Sequence, residues 1–340
     1  ASCLSNSGRM RDTLRVSSNL NNNMGHTMIK KTLATLALAV TTSLTANVSQ
    51  AFCWFNCNYT QTKYPVVLAP GVLGFDKLVG FVDYWYGIPN AMRDGGAKVY
   101  PTSASAFNSS EVRGEQLLSQ VQNILAISGA QKVNLIGHSH GGFSIRYVAD
   151  AIPTKVASLT TVHSPVKGAP GADLIRNVAP VGTFSASLIQ SVGTAVSNFV
   201  TFLAGNSYKE DFLASMDSFT TKGAATFNAK HPNGVPTTAC GEGAYTANGI
   251  KNYSWGGTSS VTNILDPLDI FFGITGLIST EPNDGLVGRC SGHFGKVIRD
   301  NYPHNHGDAI NQLFGLRGLF TPAPTDLYRQ HANRLKVAGL

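Results

Sequence analysis

The run Gly137-His138-Ser139-His140-Gly141 joins an apolar segment, Lys132-Val133-Asn134-Leu135-Ile136, to a helical pattern that begins at Gly142. A strand that feeds a tight turn and then a helix is the setting of a nucleophile elbow, where a serine is held exposed at the strand end. Ser139 is therefore the candidate nucleophile. The G-x-S-x-G pattern alone is weak, because a chain this rich in Gly and Ser would supply roughly 0.3 matches by chance. Context carries the weight: the strand precedes it, and Ile145, Val148 and Ala149 give one apolar helical face after it. Gly137 and Gly141 leave room for backbones to approach. The plainer alternative, a glycine-rich surface turn with an ordinary serine, leaves that context unexplained.

The rest of the chain repeats the alternation. Residues 64 to 69 form a short apolar run that stops at Pro70-Gly71, Gly114 to Ile127 places Leu117, Leu118, Val121, Ile124 and Leu125 at helical spacing, and Val156 to Val162 reads as another strand. Alternating strands and helices predict an α/β fold with a mostly parallel sheet covered on both faces. The chain has 340 residues, 43% of them hydrophobic, which suffices for one sizeable α/β domain or two small ones. Charged residues make up 13%, about half the usual share of roughly 25%. The surface must therefore be largely Ser, Thr, Asn, Gly or apolar, which suits a secreted protein that meets an apolar substrate. Of the net charge of +7, Arg9, Arg11, Arg15, Lys30 and Lys31 against Asp12 put +4 in residues 1 to 51, leaving +3 for the remainder. With no Lys/Arg-rich run and no zinc spacing, nucleic-acid binding has no support.

Met28-Ile29-Lys30-Lys31 followed by the apolar stretch Thr32 to Val40 reads as the start of a secretory signal peptide over residues 28–51, with small residues at Ser49-Gln50-Ala51 for cleavage. The stretch is too short for a transmembrane anchor. Residues 1–27 read as an unstructured upstream segment, and residues 52–340 as the catalytic domain of a protein exported through the periplasm to the exterior. Cys53, Cys57, Cys240 and Cys290 then enter an oxidising compartment and allow three pairings. Cys240 with Cys290 is favoured, worth on the order of 4 kcal/mol in the chain-entropy model, with Cys53 and Cys57 as a small local loop. Over 184 to 203, Phe184, Leu188, Val192, Val196, Phe199, Val200 and Leu203 fall on one stripe in a charge-free segment, which can pack on the body or swing toward a lipid surface.

A serine hydroxyl needs an imidazole to take its proton and an acid to orient that imidazole, and both are expected after Ser139. His231, His293, His304, His306 and His331 are the histidines weighed. Asp284 lies in the turn-like stretch Asn283 to Gly288, which can hold a carboxylate at a strand end. His304 and His306 precede a helical pattern from Ala309 to Leu316, and the residues alone leave both open as the base. By spacing, Asp308 reads as a helix N-cap and Asp266 as a turn residue.

Dense local matches point further. They include Val82-Asp83-Tyr84-Trp85-Tyr86-Gly87-Ile88-Pro89, Val112-Arg113-Gly114-Glu115-Gln116, Lys132 to Gly142, Phe227-Asn228-Ala229-Lys230, Ala239-Cys240-Gly241-Glu242-Gly243, Leu265-Asp266-Pro267 and Asn283 to Gly288. From Tyr59 to its end the chain resembles the secreted true lipases of Pseudomonas and Burkholderia, triacylglycerol hydrolases of the α/β-hydrolase fold, and looks closest to the Pseudomonas branch. The resemblance implies Ser139 as nucleophile, His306 as general base and Asp284 as orienting acid, with the main-chain N–H groups of Val72 and His140 as oxyanion donors. It also implies a helical lid at about 182–205, and one structural Ca²⁺ held by Asp266, Asp308 and the main-chain carbonyls of Gln312 and Leu316. A membrane-anchored lipase-specific foldase is the implied partner, and acylglycerol at a lipid–water interface the implied substrate. Arg113 falls in a motif that would brace the loop carrying Val72. Two departures stand out: Pro70-Gly71 where relatives have His-Gly, and Ser164-Pro165-Val166 where they have a Pro-His pair. The rival readings are a carboxylesterase for short soluble esters and a non-catalytic hydrolase-like binding protein, which should lack a triad member.

Overall fold

A strand buried at every position needs cover on both faces, and Val133–His138 is buried throughout. It is the middle strand of the sheet in the computed structural model, which describes residues 58–72, 77–78, 82–176, 185, 187–188, 190–191, 194 and 210–340. In chain order the elements are β1 (Val66–Ala69), β2 (Lys77–Leu78), β3 (Val82–Asp83), α1 (Ile88–Arg93), β4 (Val99–Pro101), α2 (Ser110–Ser128), β5 (Val133–His138), α3 (Gly141–Ala151), β6 (Val156–Val162) and α4 (Pro170–Ile175). They continue with α5 (Phe212–Phe219), α6 (Thr221–Lys230), β7 (Thr246–Ala247), β8 (Ile250–Gly257), α7 (Pro267–Gly276), β9 (Lys296–Tyr302) and α8 (Pro324–Val337).

The main sheet runs β4-β1-β5-β6-β8, all parallel. The far edge of β8 is divided between β9, parallel from Tyr253 onward, and the short antiparallel β7. Side chains alternate across each strand. Thus Val66 and Leu68 join Ile136, Val162 and Trp255 in a core closed by Ile88, Met92, Tyr328 and Ala332 of α1 and α8. Val67 and Ala69 join Val133, Leu135 and Leu159 in a second core closed by Leu117, Val121, Ile124, Ile145 and Val148 of α2 and α3. Each fully buried aliphatic side chain contributes about 1.5–3 kcal/mol relative to exposure. The α/β reading of the sequence is thereby met, with helices on both faces.

α2 is capped by Ser109, whose side chain accepts from the Val112 N–H at 3.2 Å, and ends at Gly129 in the left-handed region. A Cβ at Gly114 would lie 2.5 Å from the Tyr147 ring, so glycine lets α2 and α3 approach. The helix expected over Ala309 to Leu316 does not form. A single 3₁₀ turn at Asp308–Ile310 gives way to turns, because Asn311, Phe314 and Gly315 adopt φ of 64°, 53° and 77°, which no right-handed helix accommodates. The Cys240–Cys290 disulfide is formed, Cα atoms 4.6 Å apart.

The signal peptide, residues 1–27, Cys53 and Cys57 lie outside the described residues, as does most of the stripe at 184 to 203. Of that stripe only Leu188 is described, half-buried against Leu174 and Ile278. Among the described residues no helix is long and apolar enough to cross a membrane.

Candidate active site

Ser139 stands one residue beyond β5 with φ 54°, a region uncommon for a residue with a side chain. The turn closes because its neighbours are glycines. A Cβ at Gly137 would lie 2.3 Å from the Gly141 carbonyl oxygen, and one at Gly141 would lie 2.2 Å from that of Ala69. The Ser139 N–H donates to the Val162 carbonyl at 2.9 Å, tying the elbow to the neighbouring strand. His140 is the first cap of α3, so its N–H belongs to the helix end, where amides lack intrahelical acceptors. Its buried ring is bonded through Nε2 to Ser110 Oγ at 3.0 Å and packs against Phe219.

His306 Nδ1 lies 2.9 Å from Asp284 Oδ2. An ionised carboxylate only accepts, so the proton sits on Nδ1 and Nε2 keeps its lone pair. That Nε2 has no hydrogen-bond partner among the described residues, and His306 and Ser139 line the same cleft. The serine and histidine thus face one space without a direct bond between them. Apo sites often show this, the bond tightening only when substrate binds. Asp284 is buried, and Oδ1 accepts from the N–H groups of Leu286 at 3.0 Å and Val287 at 2.7 Å. Oδ2 accepts from a second imidazole as well, His163 Nδ1 at 2.7 Å. Burial pushes the Asp284 carboxyl up, but the electrostatic pull of His306 and the two imidazole hydrogen bonds outweigh it and hold the group well below the usual carboxylate range.

His163 was not among the histidines weighed from sequence, and no spacing could have picked it out. It stands one residue past β6 and meets Asp284 only through the fold. His304 is excluded from the pair: its Nε2 bonds to the Pro322 carbonyl at 2.8 Å and its ring stacks on Tyr302.

The loop bearing Val72 is fixed from two sides. Arg113 is buried and donates through Nη2 to the carbonyls of Pro70 at 2.8 Å and Gly71 at 2.5 Å, and through Nη1 to Ser105. Burial lowers its pKa to about 10, which leaves it cationic at neutral pH. From the other side, the Gly71 N–H donates to Tyr84 Oη at 2.8 Å, and Tyr84 Oη lies 2.7 Å from His138 Nδ1. His138 Nε2 is 3.1 Å from the His306 carbonyl, an acceptor, so Nε2 carries the proton and Tyr84 donates to Nδ1. Burial and the neighbouring His306 and His163 lower the His138 pKa well below its ordinary value, which keeps this neutral tautomer. The chain therefore links the Val72 loop to the backbone of His306. Neither Tyr84 nor His138 was singled out from sequence for this role.

Between these elements opens a cleft of about 110 Å³, lined mainly by apolar groups including Val72, Phe219, Ile278 and Leu286. Around the start and along the outer face of α7, Ile264, Leu265, Ile270 and Leu277 are exposed at 90%, 75%, 70% and 69%.

Close to His306 in the chain, Asp308 belongs to a group of buried acids that includes Asp266 and Asp269. Asp266 is the N-cap of α7, accepting from the Leu268 N–H at 2.9 Å and from the Leu313 N–H at 3.1 Å. The cap is thus Asp266, while Asp308 opens a 3₁₀ turn and accepts from the Asn305 N–H at 3.0 Å. Both carboxylates are buried, and Asp308 Oδ1 has no hydrogen-bond partner among the described residues. Gln312 lies in the loop that follows Asp308, its Nε2 bonded to the Asp83 and Tyr84 carbonyls and its N–H to the Gly307 carbonyl, and Leu316 ends that loop with its N–H on the Leu313 carbonyl. A third buried acid, Asp269, missed from sequence, accepts from the N–H groups of Thr262 and Asn263 and from Asn305 Nδ2. Burial raises the pKa of both Asp266 and Asp308, with repulsion from Asp269 adding to each. An oxygen-only donor set with an orphaned buried carboxylate oxygen fits a hard divalent cation. The cluster His163, Asp284 and His306, with ligand atoms within 4.8 Å of one another, does not: it is nitrogen-rich, and its Nδ1 protons are engaged by Asp284.

Comparison with known proteins is consistent across sequence and structure. The α/β hydrolase fold family matches residues 64–308. A triacylglycerol lipase of Vibrio cholerae is 54% identical over 83% of this chain and 90% of its own length. Triacylglycerol lipases of Burkholderia plantarii and Pseudomonas fragi are each 39% identical, over 91% and 82% of this chain and 95% and 98% of theirs. Among solved structures, the mature Bacillus licheniformis lipase aligns with a TM-score of 0.53 at 18% identity, over 74% of this chain and 89% of that one. Lipase 1 from Pelosinus fermentans aligns at 0.54 and 15% identity, over 81% and 99%. At those identities the structural likeness concerns the fold alone.

Proposed function

Because the chain belongs to the α/β-hydrolase fold family, we propose that it is a secreted serine lipase hydrolysing triacylglycerol esters through an acyl-enzyme. Ser139 Oγ attacks the ester carbonyl, His306 Nε2 takes its proton and later delivers it to the leaving alkoxide, and Asp284 orients the imidazole and stabilises the imidazolium. The developing oxyanion is received by the N–H groups of Val72 and His140. The observation that carries this reading is the Asp284–His306 pair at 2.9 Å, its Nε2 without a partner among the described residues and His306 lining one apolar cleft with the left-handed Ser139. Pro70 leaves the donor role intact, since Val72 contributes only its main chain.

The exposed Ile264, Leu265, Ile270 and Leu277 favour a lipase over an esterase for short soluble esters, because an interfacial substrate rewards an exposed apolar surface. Asp266, Asp308 and the main-chain carbonyls of Gln312 and Leu316 would hold one Ca²⁺, which when bound would supply structural cohesion to the loop bearing His306. The foldase partner and export through the periplasm accompany this reading as properties of the lipases the chain resembles. The test is stoichiometric organophosphate labelling, expected on Ser139, combined with a chain-length series of emulsified and dissolved esters. Label on another residue, with Ser139→Ala still active, would overturn the assignment.

A further inference from the structure

His163 is a buried histidine at the site to which the proposed mechanism gives no task. Its place is an expensive one. The backbone adopts φ 46°, a region uncommon for residues with a side chain. The ring is sealed from solvent, and its Nε2 has no hydrogen-bond partner among the described residues, an arrangement that costs free energy without compensation. Space for the ring exists only because residue 257 is glycine: a Cβ there would lie 2.6 Å from His163 Cε1. The side chain's one hydrogen bond is Nδ1 to Asp284 Oδ2 at 2.7 Å. A residue that merely filled this space would need neither the left-handed backbone nor the orphaned nitrogen.

The geometry points to His163 as a positioning residue that fixes the Asp284 carboxylate alongside His306, both imidazoles donating to one oxygen. With Leu286 and Val287 on Oδ1, the carboxylate then accepts four hydrogen bonds and cannot rotate. His306 is oriented by an oxygen whose own direction is set by His163. Sharing that oxygen also weakens its hold on the His306 proton, because an acceptor serving two donors binds each less strongly. Burial lowers the His163 pKa, so it acts as a neutral donor that adds no charge beside the imidazolium formed in turnover. His163 does not border the cleft, so its effect falls on the proton relay rather than on substrate binding.

The inference rests on the reading of Ser139, His306 and Asp284 given above, and the experiment separates the two. His163→Gly relaxes the backbone and removes the donor. His163→Asn keeps a donor, since Asn Nδ2 is as many bonds from Cα as His Nδ1, and tolerates positive φ. On a dissolved short p-nitrophenyl ester, His163→Gly is expected to lose roughly ten- to hundredfold in kcat with KM unchanged, and His163→Asn to regain most of that loss. Wild-type kcat in His163→Gly, or an Asn variant as slow as the Gly variant, overturns the role. Proton NMR of the wild-type protein with ¹⁵N-labelled histidine gives a readout that needs no folded variant at position 163. Beyond the carboxylate-bonded imidazoles of His231 and His293, two further low-field imidazole N–H resonances are expected, one of them absent in His306→Ala, whereas only one beyond those two overturns the shared oxygen. In a folded His163→Gly protein the His306 resonance should move further downfield, and an unmoved resonance also counts against it. Activity persisting in Ser139→Ala would instead indict the catalytic reading and leave the NMR result standing.

Discussion

A Cβ on Gly71 would lie 2.6 Å from the Cβ of Ser139 and 2.9 Å from Tyr84 Oη. The loop that carries Val72 is thus laid directly on the proposed nucleophile, with no room for one methyl group. Gly71→Ala should push the loop outward and displace the Val72 N–H, lowering kcat by roughly 10²-fold. Stability should fall by about 1–3 kcal/mol through overpacking. Steady-state rates with a melting curve check both, and a variant with wild-type kcat would show that the loop takes no part.

His306→Ala should match the loss caused by Ser139→Ala, because the two act as one proton-transfer unit. His304→Ala should cost far less, since His304 Nε2 is committed to the Pro322 carbonyl. Asp284→Asn should be severe but less complete. Parallel rate measurements decide among them, and equal losses at positions 304 and 306 would leave the base unassigned.

Replacing the exposed Ile270 and Leu277 by Ser should depress hydrolysis of emulsified triglyceride much more than that of a dissolved short ester. Only the emulsified substrate requires an apolar rim at its surface. Both side chains are largely exposed, so the fold should be little changed. Equal effects on both substrates would point away from an interfacial role.

Chelation should lower the melting temperature, and the size of the drop should depend on pH. Burial pushes the Asp308 carboxyl up to about 7, against hydrogen bonds from Asn305 and Thr262 and with help from Asp269 and Asp266. An unfolded aspartate titrates near 3.9. In metal-free protein the folded state therefore binds this proton more tightly. The resulting stabilisation is complete below about pH 4 and is lost as pH rises through about 7. A bound cation replaces the proton, so the melting difference between calcium-loaded and chelated protein should widen from pH 4 to pH 7. A difference that is flat with pH, or absent, would refute the site.

The strands at Val133–His138 and Val156–Val162 were legible because burial on both faces writes itself as continuous apolar runs. The helix at Ser110–Ser128 was legible from its spacing. Ala309, Ile310, Leu313 and Leu316 mimic that spacing, but Ala309 and Ile310 are drawn into the core by a loop whose Asn311 and Phe314 turn left-handed. Periodicity reports only which residues are apolar, not which backbone carries them. The pair of Asp284 with His306 was within reach of motif and resemblance. The bonds of Asp284 with His163, of Tyr84 with His138, and of Asp269 with Asn305 were not, because strands and loops distant along the chain bring them together.

Arg113 reaches the Gly71 carbonyl, and that carbonyl and the Val72 N–H are two ends of one peptide unit. A cation drawing electron density toward the oxygen leaves the amide hydrogen more positive, so charge is relayed along the bond to the proposed oxyanion donor. Mobile ions cannot enter the sealed space around the guanidinium to damp it, as they would at an exposed arginine. The acidity of this one amide is therefore an internal property of the chain, shielded from the salt of the surrounding solvent.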